Sequence, residues 1–225
     1  MGDAIGQMLA SAIAIAVSPV PVIAIVLMLA SERGRSNGIA FALAWLCTLG
    51  LISTVVVLAG SGGGARGDDG PAVRASWTKL ALGAVFLFLA VRQWRSRPKE
   101  GQEAPMPGWM RTIDSFTPGK SAALSAALSG LNPKNLVLAI GGALSIAASS
   151  AGAGGKTVAV VLFVLVGSLC VLLPLGVYLL GGDRAAGTLR SWKTWMAAHN
   201  SAIMTVVLLI LGAKYVGDAI GALTG

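Results

Sequence analysis

The chain has 225 residues, of which 55% are hydrophobic and only 12% are charged, and its mean hydropathy is +0.78. These values exclude an ordinary soluble domain and are typical of a helical membrane protein. The formal charge of +8 does not indicate nucleic-acid binding, because the basic residues are scattered among short loops rather than gathered on one face.

Six apolar segments are long enough to cross the hydrocarbon core of a bilayer, which takes about twenty residues. They cover residues 5–30, 38–60, 77–94, 121–149, 157–181 and 201–222. Their length and composition predict an all-α polytopic membrane protein with six transmembrane helices.

The connections between these segments alternate in charge. Eleven of the seventeen basic residues lie in three of these connections, counting Arg92 just before the second. The three connections are residues 31–37, 95–120 and 182–200. By the positive-inside rule these three connections face the cytoplasm. We therefore predict a multi-pass protein with both termini extracytoplasmic.

A polar, proline-rich stretch after residue 94 divides the chain into two halves. We predict a first three-helix repeat over residues 1–94, a cytoplasmic linker with an interfacial helix over residues 95–120, and a second three-helix repeat over residues 121–225. Aromatic and basic residues favour that interfacial helix around residues 109–120, and an aromatic anchor at the same leaflet around residues 190–199.

Three features recur in the same order in the two halves. Pro19 is matched by Pro133 and Cys47 by Cys170, and the triplets Leu82-Gly83-Ala84 and Leu211-Gly212-Ala213 occupy the third helix of each half. Because each half has three helices, the two copies would have opposite orientations in the membrane. Inverted repeats with broken helices are typical of transporters, whose substrate site lies at the repeat interface.

Prolines interrupt two of the six segments near their middle. Pro19 and Pro21 predict that helix 1 is broken, and Pro133 predicts the same of helix 4. Such breaks free backbone carbonyls that lipid cannot satisfy, so they are tolerated where they face protein or a water-filled cavity. We therefore predict that the two breaks line a substrate pathway. The residues that we expect along it are Pro19, Pro21, Asn132, Pro133, Lys134 and Asn135.

Lys134 is an ionisable residue inside an apolar segment. A charge at membrane depth usually faces a cavity or a partner, which favours a function in the pathway. The alternative is that its long side chain extends to the nearby membrane interface, since only a short stretch separates it from Lys120.

Other polar residues allow two interpretations each. Lys214 and Asp218 are spaced to pair along one helix face, either as a structural ion pair or as a proton or ligand relay. Arg33 and Arg35 precede the second helix and are candidates for contact with an anionic head group. Asn37, just after them, is a candidate helix cap.

Catalysis and metal binding have little support in the sequence. His199 is the only histidine, and no serine or cysteine nucleophile with an orienting carboxylate accompanies it in a recognisable pattern. The two cysteines lie inside apolar segments without a Cys-x-x-Cys spacing. We therefore expect no enzymatic activity and no metal or other cofactor.

The motifs at the two breaks resemble a known family. The stretches that carry the resemblance are Ser18 to Leu29, Arg33 to Gly38 with Phe41 and Trp45, Trp109 to Pro118, and Ser129 to Leu136. They are similar to the Sap/GAP family of sulfolipid- and peptidoglycolipid-addressing proteins in the LysE exporter superfamily. The superfamily usually has Pro-Gly-Pro in its first helix, whereas this chain has Pro19-Val20-Pro21.

This resemblance implies a six-helix protein of the bacterial inner membrane that helps to export a cell-envelope glycolipid or its precursor. The alternatives are an exporter of a small, amino-acid-like metabolite and a scaffold that delivers lipid without translocating it. Expected partners are the membrane glycolipid substrate, a second copy of the chain, and a larger lipid exporter or acyltransferase. Nucleic acid is not among them.

Overall fold

The computed structural model describes residues 2–62, 71–96 and 113–224 of the chain. These residues are almost entirely helical and include no strand, which confirms the predicted all-α class. The α-helices are α1 (Gly2–Ala16), α2 (Pro19–Leu29), α3 (Gly34–Gly62), α4 (Pro71–Arg95), α5 (Pro118–Ala126), α6 (Pro133–Ala148), α7 (Ala153–Gly167), α8 (Leu169–Leu180) and α9 (Ala185–Thr224).

Two single helices, α3 and α9, are long and apolar enough to cross a membrane. The bent pairs α1–α2 and α7–α8 add two more candidates if each pair forms one span. Within the described ranges the structure therefore has two to four candidate spans, against the six that we predicted. Helix α6 is apolar but shorter than a full span.

The last helix differs from its prediction. Residues 182–200 were expected to form a loop with an aromatic anchor, but α9 begins at Ala185 and continues to Thr224 without a break. The reason is that hydropathy detects only the apolar part of a helix, whereas the polar residues 190–199 are also compatible with helix. At 1.5 Å per residue α9 is about 60 Å long, which exceeds the hydrocarbon core of about 30 Å.

Helices of the first half pack against helices of the second. Helix α4 runs antiparallel to α9, since Gly83 approaches Val216 and Leu87 approaches Gly212. Helix α3 lies along α5 and α6, and α1 and α2 lie along α7 and α8. The buried core between them contains Phe41, Trp45, Phe86 and Phe163. Large apolar side chains also lie exposed on the outside, as expected of surfaces that face lipid.

The connections group at two ends of the molecule. We call one the basic end, defined by Arg33, Arg35, Lys120, Arg184 and Arg190. Close contacts hold its parts together. The Asn37 amide donates to the Phe116 carbonyl at 3.0 Å, and the residues after α2 line a cleft with the start of α9.

At the other end, which we call the far end, the Nζ atom of Lys156 donates to the Ser61 hydroxyl at 3.1 Å and to the Ala147 carbonyl at 2.7 Å. The start of α7 therefore meets the ends of α3 and α6. The described parts of the predicted cytoplasmic connections thus lie at one end and those of the others at the opposite end, and the orientation of these ends in the membrane stays a prediction.

Several predicted features lie wholly or partly outside the described residues. They include residues 97–112 of the predicted linker at 95–120, and with them Trp109, Met110 and Arg111 of the predicted interfacial helix. The described end of that helix is a single 3-10 turn, Ile113–Ser115, whose Ile113 side chain is buried in the protein core. Asn37 lies inside the first turns of α3 and bonds to Phe116, so it is not the cap that we expected.

Candidate functional site

The first break separates α1 from α2, which are bent by 43°. Pro19 and Pro21 have no N–H, so the carbonyls four residues before them lose their helical donors. The carbonyl of Ile15 instead accepts the N–H of Ser18 at 3.1 Å. Ser18 has extended backbone dihedrals and begins α2, but its side chain makes no capping hydrogen bond. Its hydroxyl is therefore available to another part of the protein.

The second break follows a π-helical turn, Ala127–Leu131, in which the N–H of Asn132 donates to the carbonyl five residues earlier at 3.0 Å. The Leu128 carbonyl consequently has no main-chain donor, because Pro133 carries no N–H. The Nδ2 atom of Asn135 donates to this carbonyl at 2.8 Å. A side-chain amide thus replaces the backbone hydrogen bond that the proline removes.

The second asparagine of this motif begins the next helix. Asn132 has extended backbone dihedrals, and its Oδ1 atom accepts the N–H of Lys134 at 3.1 Å. It is therefore the N-cap of α6, with Pro133 in the first helical position, where a missing N–H costs nothing. Both asparagines stabilise the broken backbone and leave the Lys134 side chain free to extend away from it.

A third break, which we did not predict, separates α7 from α8 at Gly167 and Ser168, with a bend of 59°. No proline lies at this point, and Pro174 lies inside α8 without ending it. A Cβ atom at Gly167 would lie only 3.1 Å from the Leu49 side chain and 3.6 Å from Ile15. The break therefore lies where three segments pack closely.

Lys134 joins the first and second breaks. Its Nζ atom donates to the Ser18 hydroxyl at 2.8 Å, at the break between α1 and α2. The same ammonium contacts the sulfur of Met204 on α9 at 3.2 Å. The side chain therefore points into the bundle rather than toward the end of the helices. The third break adjoins the first, because a Cβ atom at Gly167 would lie 3.6 Å from the Ile15 side chain.

The hydrogen-bond partners of the Lys134 ammonium are neutral. The one salt bridge among the side chains that the structure describes joins Lys214 to Asp218, with an N–O distance of 2.6 Å. A cation at such depth is costly unless an anion or several dipoles compensate it. An anionic group bound beside Lys134 would therefore stabilise its protonated form.

Two further polar atoms at the breaks are buried without a hydrogen-bond partner among the described residues. They are the Oδ1 atom of Asn135 and the hydroxyl of Ser168. A carbonyl oxygen and a hydroxyl can bond to the hydroxyl groups of a sugar. Within the described ranges, no three His, Cys, Asp or Glu side chains gather as a metal site would require.

The remaining predicted site residues lie elsewhere. Lys214 and Asp218 form their ion pair on an exposed face of α9, ten or more residues from Met204. Arg33 and Arg35 are exposed at the basic end. Gly34, which lies between them in the sequence, packs against the end of α2. A Cβ atom at Gly34 would overlap the Leu29 carbonyl, so only glycine allows this tight turn.

Two cavities open toward the two ends of the molecule. The basic cleft, of about 220 Å³, lies between the ends of α2 and α8 and the start of α9. The far cavity, of about 410 Å³, lies between the ends of α3 and α6, the start of α4 and the C-terminal part of α9. Both are lined mainly by apolar side chains, with Arg190 and Lys193 in the first and Lys79 in the second.

Comparison with known proteins supports the resemblance seen in the sequence. A family model described as Sap, sulfolipid-1-addressing protein, matches residues 8–221. No curated protein and no solved structure matched the chain. The family model covers nearly the whole chain and includes all three breaks and Lys134. The chain therefore belongs to the Sap, sulfolipid-1-addressing protein, family of membrane proteins involved in sulfolipid addressing.

Proposed function

We propose that this protein translocates an anionic cell-envelope glycolipid across the bacterial inner membrane, and that Lys134 binds the head group on the way. The observation that carries the proposal is an ammonium group that joins two helix breaks, with a third packed against the first, and that has only neutral hydrogen-bond partners. A sulfate or phosphate on the lipid would supply the missing charge.

The chemistry around Lys134 suits a head group better than a lipid tail. Ser18 offers a hydroxyl to the Lys134 ammonium, and Asn135 and Ser168 add a buried carbonyl oxygen and a buried hydroxyl at the second and third breaks. The ammonium and the unpaired Asn135 oxygen can together bind an anionic sugar, because the first attracts the charge and the second accepts a hydrogen bond from a hydroxyl group. An amino-acid-like metabolite with a carboxylate would satisfy only the first requirement.

We further propose that the chain is built from two inverted repeats. Two of the recurring features meet their own counterparts in space. A Cβ atom at Gly83 would lie 3.1 Å from the Gly212 carbonyl in the crossing of α4 and α9, which run antiparallel. Residues related by a two-fold axis meet in this way when they lie close to the axis.

The prolines support the same axis. Ser18 contacts Lys134, and a Cβ atom at Gly142 would lie 3.1 Å from the Cβ atom of Ser11. These two contacts are those of α1 running antiparallel to α6, with the break that contains Pro19 beside the break that contains Pro133. A two-fold axis in the membrane plane would pass between these prolines, which is where inverted-repeat transporters bind substrate.

The two cavities lie toward opposite ends of the molecule, as alternating access requires. The ends of the first and fifth segments build the basic cleft together with residues between 182 and 193, and the second, third and fourth segments build the far cavity together with Tyr215 of α9. In a transporter of this architecture, alternate opening of the two cavities exposes the Lys134 site to each side in turn.

Translocation is tested by comparing surface lipids of cells that lack the protein with those of complemented cells. We expect wild type to restore an anionic glycolipid at the surface, and Lys134→Gln to leave it inside the cell despite normal membrane insertion. Lys120→Gln is the matched control, because this exposed lysine lies at the basic end. Accumulation of a small metabolite with unchanged surface lipids would contradict the proposal.

Purified protein in liposomes tests whether the chain acts alone. A transporter should move the extracted glycolipid between leaflets, whereas a scaffold that delivers lipid to a larger machine should not. Loss of this movement in the Lys134→Gln variant, with the Lys120→Gln variant unchanged, would support direct passage along the breaks.

A further inference from the structure

We infer that the basic cleft is a second binding site, which takes the anionic head group of a membrane amphiphile before it reaches Lys134. The inference rests on the proposed function for its place in a transport cycle, while the binding itself depends only on the cleft. It assigns a role to Arg190 and Lys193, which the sequence placed in a loop.

The lining of the cleft has the two parts that an amphiphile needs. Its inner wall is apolar and comes from the last turn of α2, from Tyr178 on α8 and from Leu189 on α9. Arg190 and Lys193 supply its charge and lie three residues apart on α9, so both face the same side of that helix. An acyl or sugar surface fits the apolar wall, and an anion fits the two basic side chains.

The charge of the cleft is one-sided. No aspartate or glutamate is among the described side chains that line it, and neither Arg190 nor Lys193 forms a salt bridge within the described residues. Arginine can bind a sulfate or phosphate with two parallel hydrogen bonds, and lysine adds a second point charge. The cleft therefore selects for an anionic rather than a zwitterionic head group.

Exposed apolar side chains place the cleft beside a membrane surface. Leu180, at the end of α8, has 89% of its surface exposed, and Trp192 and Trp195 on α9 are also exposed. Tryptophan is enriched at the level of lipid head groups, and an exposed leucine of this kind is expected in contact with lipid. An amphiphile could thus enter from the adjacent leaflet with its tails still in the membrane.

The opposite cavity carries less charge. The far cavity is larger and has Lys79 as the single cation among its described lining residues. An anion should therefore be held more strongly by the two cations of the basic cleft than at the other end. This difference favours loading at the basic end, while net movement away from it would draw on an energy source or on removal of the lipid at the far end.

Binding is measured by native mass spectrometry of the purified chain with phosphatidylglycerol, with phosphatidylcholine as the zwitterionic comparison and inorganic sulfate as competitor. Loss of two charged contacts in Arg190→Gln/Lys193→Gln should weaken phosphatidylglycerol binding by about tenfold or more. Arg184→Gln/Lys120→Gln is the matched control, because it removes two charges from the basic end outside the cleft.

Binding that falls equally in the two double variants would overturn the inference, since it would show general attraction to the basic end. Equal binding of phosphatidylcholine would also overturn it, as would full displacement of the lipid by sulfate at physiological salt. Lys134→Gln separates the two proposals: it should keep phosphatidylglycerol in the cleft while translocation is lost. Normal translocation by Lys134→Gln would contradict the proposed function and leave cleft binding standing.

Discussion

The ammonium nitrogen of Lys134 lies 2.8 Å from the hydroxyl of Ser18. Lys134 follows the break before α6, and Ser18 lies in the break before α2. Neither helix needs this contact in order to begin, because Asn132 caps α6 and the Ser18 hydroxyl makes no capping bond. The contact instead holds a cation between two interrupted helices. Its energetic importance can be tested by changing the charge at position 18.

Ser18→Asp should close the site by supplying an internal counterion. The introduced carboxylate would lie next to the Lys134 ammonium and compete with the head group of the lipid. We expect translocation to fall by about tenfold or more, because a charge-assisted hydrogen bond is worth about 1.5–3 kcal/mol. We also expect the thermal unfolding temperature to rise relative to a neutral variant of the same size.

Ser18→Asn is that neutral variant, since it has the shape of aspartate without its charge. Any loss through crowding at this buried position appears equally in both variants. Only the difference between them reports on the counterion. Equal translocation by the aspartate and asparagine variants would argue against binding of an anion at Lys134.

Asn135→Ala should destabilise the protein through the backbone of the second break. The Leu128 carbonyl would lose its donor at 2.8 Å, and a buried carbonyl without a partner costs about 1–3 kcal/mol. Thermal unfolding of the purified protein in detergent measures this cost.

Adding Pro133→Ala to that variant should recover part of the stability. The new N–H at position 133 can donate to the carbonyl of Leu128 or Ser129, so the two changes would not be additive. Translocation should be impaired in this double variant, because a continuous helix would replace the break. Additive destabilisation would show that Asn135 does not compensate for the proline.

The two breaks with prolines could be predicted from the sequence because proline acts through its own backbone. The break at Gly167 depends instead on how closely Leu49 and Ile15 approach it, which is a property of the packed structure. In the same way, composition could identify Lys134 as a costly charge, but only the fold shows that Ser18 and Met204 are its partners. The helical start of α9 was missed because its polar residues resemble those of a loop.

Asp218→Asn should have a small effect on stability and on translocation if the pair with Lys214 is structural. The two side chains are 35% and 41% exposed, and an exposed pair spaced four residues apart on a helix contributes about 0.3–0.5 kcal/mol at most. Since the pair also lies away from the Lys134 site, we expect translocation to stay within about twofold of wild type.

A role in proton coupling would give a different result. Translocation by wild type would then fall when the proton gradient is dissipated, and the Asp218→Asn variant would already be slow and insensitive to the uncoupler. Measuring both proteins with and without an uncoupler therefore distinguishes the relay from the ion pair.

Gly83→Ala should destabilise the crossing of α4 and α9. A Cβ atom there would lie 2.7 Å from the Val216 side chain and 2.9 Å from its backbone nitrogen, so the helices would have to separate. We expect a cost of about 1–3 kcal/mol, as for other overpacked positions. Gly217→Ala on α9 is the matched control, since a Cβ atom at that position meets nothing within 4 Å.

The control should be neutral or stabilising by up to about 1 kcal/mol, because alanine favours helix more than glycine does. If the two halves are inverted repeats, Gly212→Ala should cost about as much as Gly83→Ala, since its Cβ atom would lie 2.7 Å from the Leu87 side chain and 3.1 Å from its backbone nitrogen. Thermal unfolding of the three variants compares these effects directly. A large cost at Gly83 with none at Gly212 would argue that the crossing is not symmetric and would weaken the case for a two-fold axis through it.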